Sequence, residues 1–258
     1  TLPAKMEKRL IESSMESWFV NDAIRDWGRK TYPPESSKMH SVMNSYDPDL
    51  APAPNLRPAD PAEHLTVGYL GTITPQVPLV ESLEGWVQAR EVDPLVASAK
   101  LEFYGNLGHF AKPGSNERQL LQVAAPYDVH YGGPAGKANV REIYAKFDVL
   151  LFLAGGGKYV TSGKVFEYMA SGLPIVSCHV PDLAAATVLA DYPLWFPTSD
   201  LSPESIAAAF SQACKAAISA DEETRRRCIE HAAKFERGRQ LREPLKRVLS
   251  QAGSVAPK

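Results

Sequence analysis

The sequence is short of cysteine: Cys178, Cys214 and Cys228 are all it holds in 258 residues. An odd, sparse set supplies no disulfide framework and suits a reducing compartment, and the spacing matches no zinc motif. An excess of charge of one sign is also missing. Twenty-eight Lys and Arg against 30 Asp and Glu leave a formal net charge of −2, so bulk electrostatics give no case for binding nucleic acid. No apolar run approaches the roughly 18 residues that span a bilayer, and no signal peptide is visible. The opening residue is Thr1 rather than Met, which leaves room for a trimmed leader. No Ser-His-Asp or Cys-His arrangement follows from spacing. The "GGG" at 155–157 is no Walker loop, because no Gly-Lys-Ser/Thr follows it at the needed distance. What is left is an ordinary globular composition, 44% hydrophobic and 22% charged, long enough for one large α/β domain or one domain plus part of another.

Proline is present and unevenly spread. Five prolines fall in "DPDLAPAPNLRPADPAE", Asp47 to Glu63, which forbids a helix or a central strand and reads as a linker. A domain boundary is placed there. Ahead of it, "PAKMEKRLIESS" predicts a helix, "WFV" a short strand, and "NDAIRDWGRKTY" a second helix with Asn21 as its N-cap.

Beyond the linker, apolar runs alternate with helical patterns. Strands are predicted over 65–71, 99–105, 128–133, 148–157 and 173–180. Helices are predicted over 78–91, 116–124, 139–147, 163–171 and 202–219, with two more near 221–235 and 238–251. Strands separated by helices of about 10–15 residues imply βαβ crossovers and a parallel sheet. A run such as "DVLLFLA" implies a sheet covered on both faces. The expected fold is a Rossmann-like, doubly wound α/β domain, which binds ligands beyond the carboxyl ends of its strands. Glycines at 71, 105, 132–133 and 155–157 end four of these strands. They suggest one shared ligand edge, although glycine also simply ends strands.

The most informative stretch is "TSGKVFEYMASGLPIVS", Thr161 to Ser177. Helical spacing puts Lys164, Glu167 and Ser171 on one face, and Val165, Met169 and Gly172 on another, toward the sheet. A lysine in the first turn of a helix is disfavoured by about 0.3–1 kcal/mol, because the N-terminus already carries partial positive charge. An anion at the same place explains the lysine: free backbone N–H groups and an ammonium together make a phosphate site. Thr161, Ser162 and Gly163 add hydroxyls and a backbone open to close approach. Glu167 can accept hydrogen bonds from sugar hydroxyls beside that phosphate, as the acidic residue of a dinucleotide site does. The residues alone equally allow an i,i+3 surface salt bridge between Lys164 and Glu167.

The same stretch resembles the donor-binding motif of retaining nucleotide-sugar glycosyltransferases of the B-type, two-Rossmann fold (group 1, family 4-like). Its familiar form is a lysine, then Glu-Tyr-Met-Ala-x-Gly-x-Pro and two apolar residues. Lys164, Glu167, Tyr168, Met169, Ala170, Gly172, Pro174, Ile175 and Val176 stand in register with it. "VGYLGTI" resembles the first strand of that fold's C-terminal half, "REIYAKFDVLLFLA" the helix and strand before the motif, and "SKMHSVMNSYDPDL" the chain leaving the N-terminal domain. The motif marks a large superfamily rather than one substrate.

The resemblance implies roles. Glu167 would hold the ribose hydroxyls. Lys164 and the backbone from Thr161 through Ser162 and Gly163 to Val165 would hold the diphosphate, with Gly71 and Thr72 approaching it from the first strand. Gly132 and Gly133 would lie near the base. Two departures stand out: Tyr159 occupies the place of a second glutamate that touches the donor sugar in many relatives, and "GTITPQVP" lacks the Arg and Lys that often follow the first strand. Gly155, Gly156, Gly157 and Lys158 are candidates to substitute. The implied layout is 1–46 as the tail of an acceptor domain, 47–63 as linker, 64–236 as the donor domain and 237–258 as a helix returning to the acceptor domain, most of which is missing from the chain. The implied function is transfer of a sugar from a nucleoside-diphosphate sugar to a glycan, lipid or small-molecule acceptor with retention. It implies no metal and no cofactor beyond that substrate, with the cytoplasm as the expected location and the inner face of a membrane as its other reading. The alternatives are a non-catalytic nucleotide- or sugar-binding module and an epimerase on the same fold. His109, His130 and His179 sit near strand ends and are expected to be structural. "RRRC" at 225–228 is expected to be a solvated helix face, with peripheral membrane contact as its other reading.

Overall fold

The computed structural model describes residues 2–109, 112–180 and 182–254. The chain opens with helix α1 (Leu2–Ser13), strand β1 (Ser17–Phe19), helix α2 (Asp22–Thr31), a 3-10 segment (Pro33–Lys38) and strand β2 (Met39–Ser41). Asn21 caps α2 as its residue type predicts, its side-chain oxygen accepting from the Ile24 N–H at 2.9 Å. β1 and β2 pair in parallel, Ser17 opposite Met39. β2 is absent from the sequence reading because Met-His-Ser lacks the strand-favouring aromatic residues that mark the equally short β1.

The remainder is β3 (Thr66–Leu70), α3 (Leu79–Val92), α4 (Pro94–Ala97), β4 (Lys100–Tyr104), the minor pair β5 (Gly108–His109) and β6 (Lys112–Pro113), α5 (Ser115–Ala124), β7 (Val129–Tyr131), α6 (Val140–Tyr144), β8 (Val149–Ala154), α7 (Lys164–Ser171), β9 (Ile175–His179), α8 (Ala186–Leu189), β10 (Trp195–Pro197), α9 (Pro203–Ser219), α10 (Glu222–Ala233) and α11 (Arg237–Ser254). Six strands form one parallel sheet in the order β10-β9-β8-β3-β4-β7. The chain winds outward from β3 through β4 to β7, then returns and winds the other way through β8, β9 and β10. The reversal leaves a crevice between the carboxyl ends of β3 and β8.

Period-2 alternation assigns the strand side chains to two cores. Val149, Leu151 and Leu153 of β8 join Trp86, Phe210 and Leu101 on the face under α3 and α9. Leu150 and Phe152 join Phe166, Tyr168 and Met169 on the face under α7 and α10. This double cover is why β8 reads as a continuous apolar run. Gly68 of β3 has a packing reason: a Cβ there would lie 2.2 Å from the Phe147 ring.

The proline-rich run 47–63 forms no helix or strand, yet it is no loose tether. Ala51 is buried, the Asn55 N–H donates to the Ser171 carbonyl at 2.8 Å, and the Ala59 N–H donates to the Ala217 carbonyl at 2.9 Å. Proline removes the donors of a ladder, but the amides between prolines still find acceptors on the domain. The expected solvated face at 225–228 holds only in part. Arg226 is exposed and pairs with Glu222 and Glu223 at 2.5 and 2.9 Å. Arg225 is buried, and its Nη2 donates to the Ala217 carbonyl at 2.7 Å. The first turn of α10 packs beside the end of α9, so this guanidinium satisfies carbonyls that the helix end leaves orphaned.

Candidate functional site

The site is built where β3 gives way to a loop. Gly71 has φ +153° and Gly105, at the end of β4, has φ +126°. A Cβ on Gly105 would stand 2.1 Å from the Gly71 carbonyl oxygen, so the two strand ends meet this closely only because glycine is there. Across the crevice, α7 begins at Lys164 behind an N-cap glycine, Gly163, that makes no side-chain cap. The Val165 and Phe166 N–H groups close tight turns onto the Ser162 and Gly163 carbonyls at 3.3 and 3.2 Å.

Lys164 does not form the surface salt bridge its spacing allows. Among the described residues no ion pair joins it to Glu167. Its Nζ donates to the Tyr69 hydroxyl at 2.8 Å and lies 4.0 Å from the centroid of that ring. The Tyr69 hydroxyl in turn donates to the Thr72 carbonyl at 2.9 Å. A Cβ on Gly71 would stand 2.2 Å from the ammonium. Burial pushes the Lys164 ammonium down to about 8, and the Glu167 charge opposes that shift. Glu167 accepts from the Tyr144 hydroxyl at 3.1 Å. Burial raises its carboxyl above the usual range, against the lowering effect of Tyr144, Lys164 and Arg237.

Two cavities meet at this lysine. One, of about 400 Å³, is lined by Gly71, Thr72, Gly105, Asn106, Gly163, Lys164 and Glu167, with Leu50, Leu70, Ala135, Val140 and Tyr144 as its apolar and aromatic wall. The other, of about 370 Å³, is lined by Tyr69, Thr72, Gln76, Val77, Phe152, Leu153, Ala154, Gly155, Gly156, Val160, Ser162 and Lys164. Thr72 and Lys164 belong to both. The structure thus brings Gly71, Thr72, Gly163, Lys164 and Glu167 together, and sets Ser162 and Gly156 on the adjoining side.

Other expected residues lie elsewhere. Thr161 is buried against the N-terminal segment: its carbonyl accepts from Asn44 Nδ2 at 2.9 Å and its hydroxyl from Asn21 Nδ2 at 3.2 Å. Val165 is fully buried, and its amide is already used in the turn. Gly132 is pressed against Tyr104, where a Cβ would lie 2.1 Å from the ring, and Gly133, with φ +87°, faces open space. Neither lines the two cavities, nor do Gly157 and Lys158, which sit on the turn Gly157–Tyr159 with the Lys158 ammonium 5.3 Å from the Tyr159 ring centroid. Ser171 shares a helical face with Lys164 but lies two turns on, under the 47–63 segment, where its hydroxyl donates to the Tyr168 carbonyl at 2.6 Å. His130 is exposed, and buried His179 engages the Val180 carbonyl at 2.9 Å. The side chain of His109 lies outside the described residues. Tyr69, Tyr144 and Asn106 went unread in the sequence. A tyrosine at an inward strand position is the one signal that pointed to Tyr69, since a buried hydroxyl needs a partner.

A parallel sheet in this order, with its cavities at the reversal point, defines a Rossmann-like α/β protein. Its family is the one described as "Glycosyl transferases group 1", whose model matches residues 66–216, more than half of the sequence; the chain belongs to that family. No curated protein matches it. Among solved structures it is similar to a sucrose-phosphate synthase from Thermosynechococcus elongatus (TM-score 0.67, 12% identity, 97% of this chain and 61% of that one). It is also similar to a glycosyltransferase from Rickettsia africae (TM-score 0.67, 12% identity, 90% and 62%). A third is Anabaena HepE in complex with UDP and glucose (TM-score 0.64, 11% identity, 93% and 64%). The chain spans less than two thirds of the length of each. At these identities the likeness is one of fold.

Proposed function

We propose that this chain carries the donor side of a glycosyltransferase that moves a sugar from a nucleoside-diphosphate sugar to an acceptor with retention. The observation that carries the reading is the position of Lys164, at the start of α7 and shared by two cavities. A diphosphate at that junction meets the ammonium, the start of α7 at Gly163 and Lys164 and the closely approachable backbone of Gly71 and Thr72. The nucleoside then extends into the cavity containing Glu167 and Tyr144, with Glu167 accepting from ribose hydroxyls. The sugar extends toward Gly155, Gly156 and Ser162. The protein's work on the reaction is to fix the donor and to stabilise negative charge on the departing diphosphate.

The layout at 46–47 and 236–237 supports a hinge between this half and an acceptor-binding half. The Tyr46 N–H donates to the Phe235 carbonyl at 3.2 Å, the Arg237 N–H donates to the Tyr46 carbonyl at 3.0 Å, and the Arg237 guanidinium pairs with Asp47 at 2.7 Å. Both chain crossings therefore meet at one point. α11 then runs to the N-terminal segment, where Arg247 donates to Glu16 at 3.1 and 3.3 Å.

The test is calorimetry with uridine, guanosine and thymidine, each as nucleoside and diphosphate, followed by product analysis with the matching nucleotide sugars. One structural neighbour is a complex with UDP and glucose, which makes UDP the first probe. Preference for a diphosphate over its nucleoside supports the reading, and equal affinity for the two overturns it. A second reading, a non-catalytic nucleotide-binding module, draws on Tyr159, which stands outside both cavities in place of the second glutamate; tight nucleotide binding without turnover selects it.

A further inference from the structure

We propose that Tyr69 is a positioning residue of the phosphate site, its hydroxyl joining the Lys164 ammonium to the Thr72 loop so that the two move as one; the inference rests on the nucleotide reading above. Tyr69 lies on β3 and is fully buried. A buried tyrosine must satisfy its hydroxyl, which has one proton to give and lone pairs to receive. Lysine is only a donor, so the direction of the network is fixed: Lys164 donates to Tyr69 at 2.8 Å and Tyr69 donates to the Thr72 carbonyl at 2.9 Å.

The ring contributes as well as the hydroxyl. The ammonium stands 4.0 Å from its centroid, within the range of a cation–π contact. The ring is held against Phe103, centroid to centroid 5.7 Å. The absence of a side chain at Gly71 leaves the space that the ammonium fills. Among the described residues, the charged groups that bear on this ammonium are Glu167 on its own helix and, through Glu167, Arg237 at the start of α11. Glu167 is occupied by the Tyr144 hydroxyl from α6. Two tyrosines from two elements therefore keep apart a lysine and a glutamate whose i,i+3 spacing would otherwise let them pair. The cation stays over the Gly71–Thr72 backbone, at the junction of the two cavities.

The test is Tyr69→Phe, which keeps the ring and nearly all the packing volume and removes the hydroxyl, both the acceptor for Lys164 and the donor to Thr72. UDP and uridine are titrated from pH 6.5 to 9.5 into wild type, Tyr69→Phe and Lys164→Ala. For Tyr69→Phe, UDP affinity is expected to fall about tenfold, the size of one hydrogen bond to a charged group, with uridine affinity held within about twofold. The midpoint at which UDP binding declines should move to lower pH, since the buried ammonium loses an acceptor while its desolvation stays. A merely structural tyrosine would leave that midpoint in place. Loss of UDP binding in Lys164→Ala with unchanged affinity and midpoint in Tyr69→Phe overturns the role of Tyr69 alone. A wild-type protein that binds UDP no better than uridine overturns the nucleotide reading and this inference with it. Proton NMR of the wild type gives a check that needs no variant. The Lys164 Hε protons should be shifted upfield by the Tyr69 ring, and ordinary lysine shifts would remove the lysine from that ring.

Discussion

Lys164 stands where the backbone already presents positive charge, and it is desolvated as well. Both effects disfavour the ammonium, and a hydroxyl, an aromatic face and the charge of Glu167 nearby offset them only in part. An anion is the missing partner. That gives a pH dependence with a definite sign. The diphosphate binds the protonated lysine more tightly, so UDP affinity should be full below about pH 8 and decline as pH rises through that value toward the higher pKa of the complex. In Lys164→Ala this decline should vanish, with UDP weakened far more than uridine; calorimetry across pH measures both. Equal losses for the two ligands would mean that the lysine only supports the fold. On the proposed reading Glu167 takes the complementary role one turn further in. Glu167→Ala should weaken nucleoside diphosphates by about 1.5–3 kcal/mol, the range for hydrogen bonds to a charged group, with a much smaller change in the thermal midpoint. Unchanged affinity would take Glu167 out of the ribose contact.

At the scale of elements, α7 shows what a sequence discloses and what it conceals. Its start after Gly163, its buried face of Val165 and Met169 and its stop at Gly172 all follow from period and residue type. Those signals are local. The partners of its two candidate functional side chains are not: Tyr69 and Tyr144 lie 95 and 23 residues away in sequence, and no local pattern links them. The same limit explains Ser171, on the expected face but covered by the 47–63 segment, and Thr161, turned toward Asn21 and Asn44 rather than the cleft. The six strands of the main sheet split in the same way. Five were read, the short edge strand β7 among them, while β10, three residues at the other edge that end in Pro197, was not, because a proline inside so short a run argues against a strand. The stop of α7 is itself testable. Gly172 has φ +75°, and a Cβ there would lie 3.0 Å from Ile229 Cδ1. Gly172→Ala should cost about 1–2 kcal/mol and lower the melting temperature by about 2–8 °C, with UDP affinity of the folded protein unchanged. An unaltered melting curve would mean that the left-handed cap is not held in solution.

At the scale of the whole chain, the question is what would face the proposed donor. Residues 1–46 contribute two helices and a two-stranded parallel sheet, Ser17–Phe19 beside Met39–Ser41. A parallel pair needs cover on both faces and further strands to be stable by itself, and exposed Leu2, Met6, Leu10 and Trp18 mark that segment as poorly covered. The proposed phosphate, ribose and sugar contacts, by contrast, all come from residues after the 47–63 segment, within the six-stranded sheet and its loops. Donor binding and acceptor binding therefore make different demands on these 258 residues. Binding should be intact, because Lys164, Glu167, Tyr69 and Tyr144 are already held by contacts with one another in the part after the 47–63 segment. Transfer needs an acceptor fixed against the anomeric carbon, and orientation of two reactants can supply roughly 7–11 kcal/mol of a barrier. A wall built on two short strands is too small to fix an acceptor and exclude water. We expect these 258 residues to bind a nucleoside diphosphate by calorimetry and to give no sugar transfer when incubated with the matching nucleotide sugar and candidate acceptors, with slow hydrolysis of the donor as the most that chromatography detects. A glycosylated acceptor formed at an enzymatic rate would show that both walls of the cleft are present in this chain, and the division into donor and acceptor halves at 47–63 would fall.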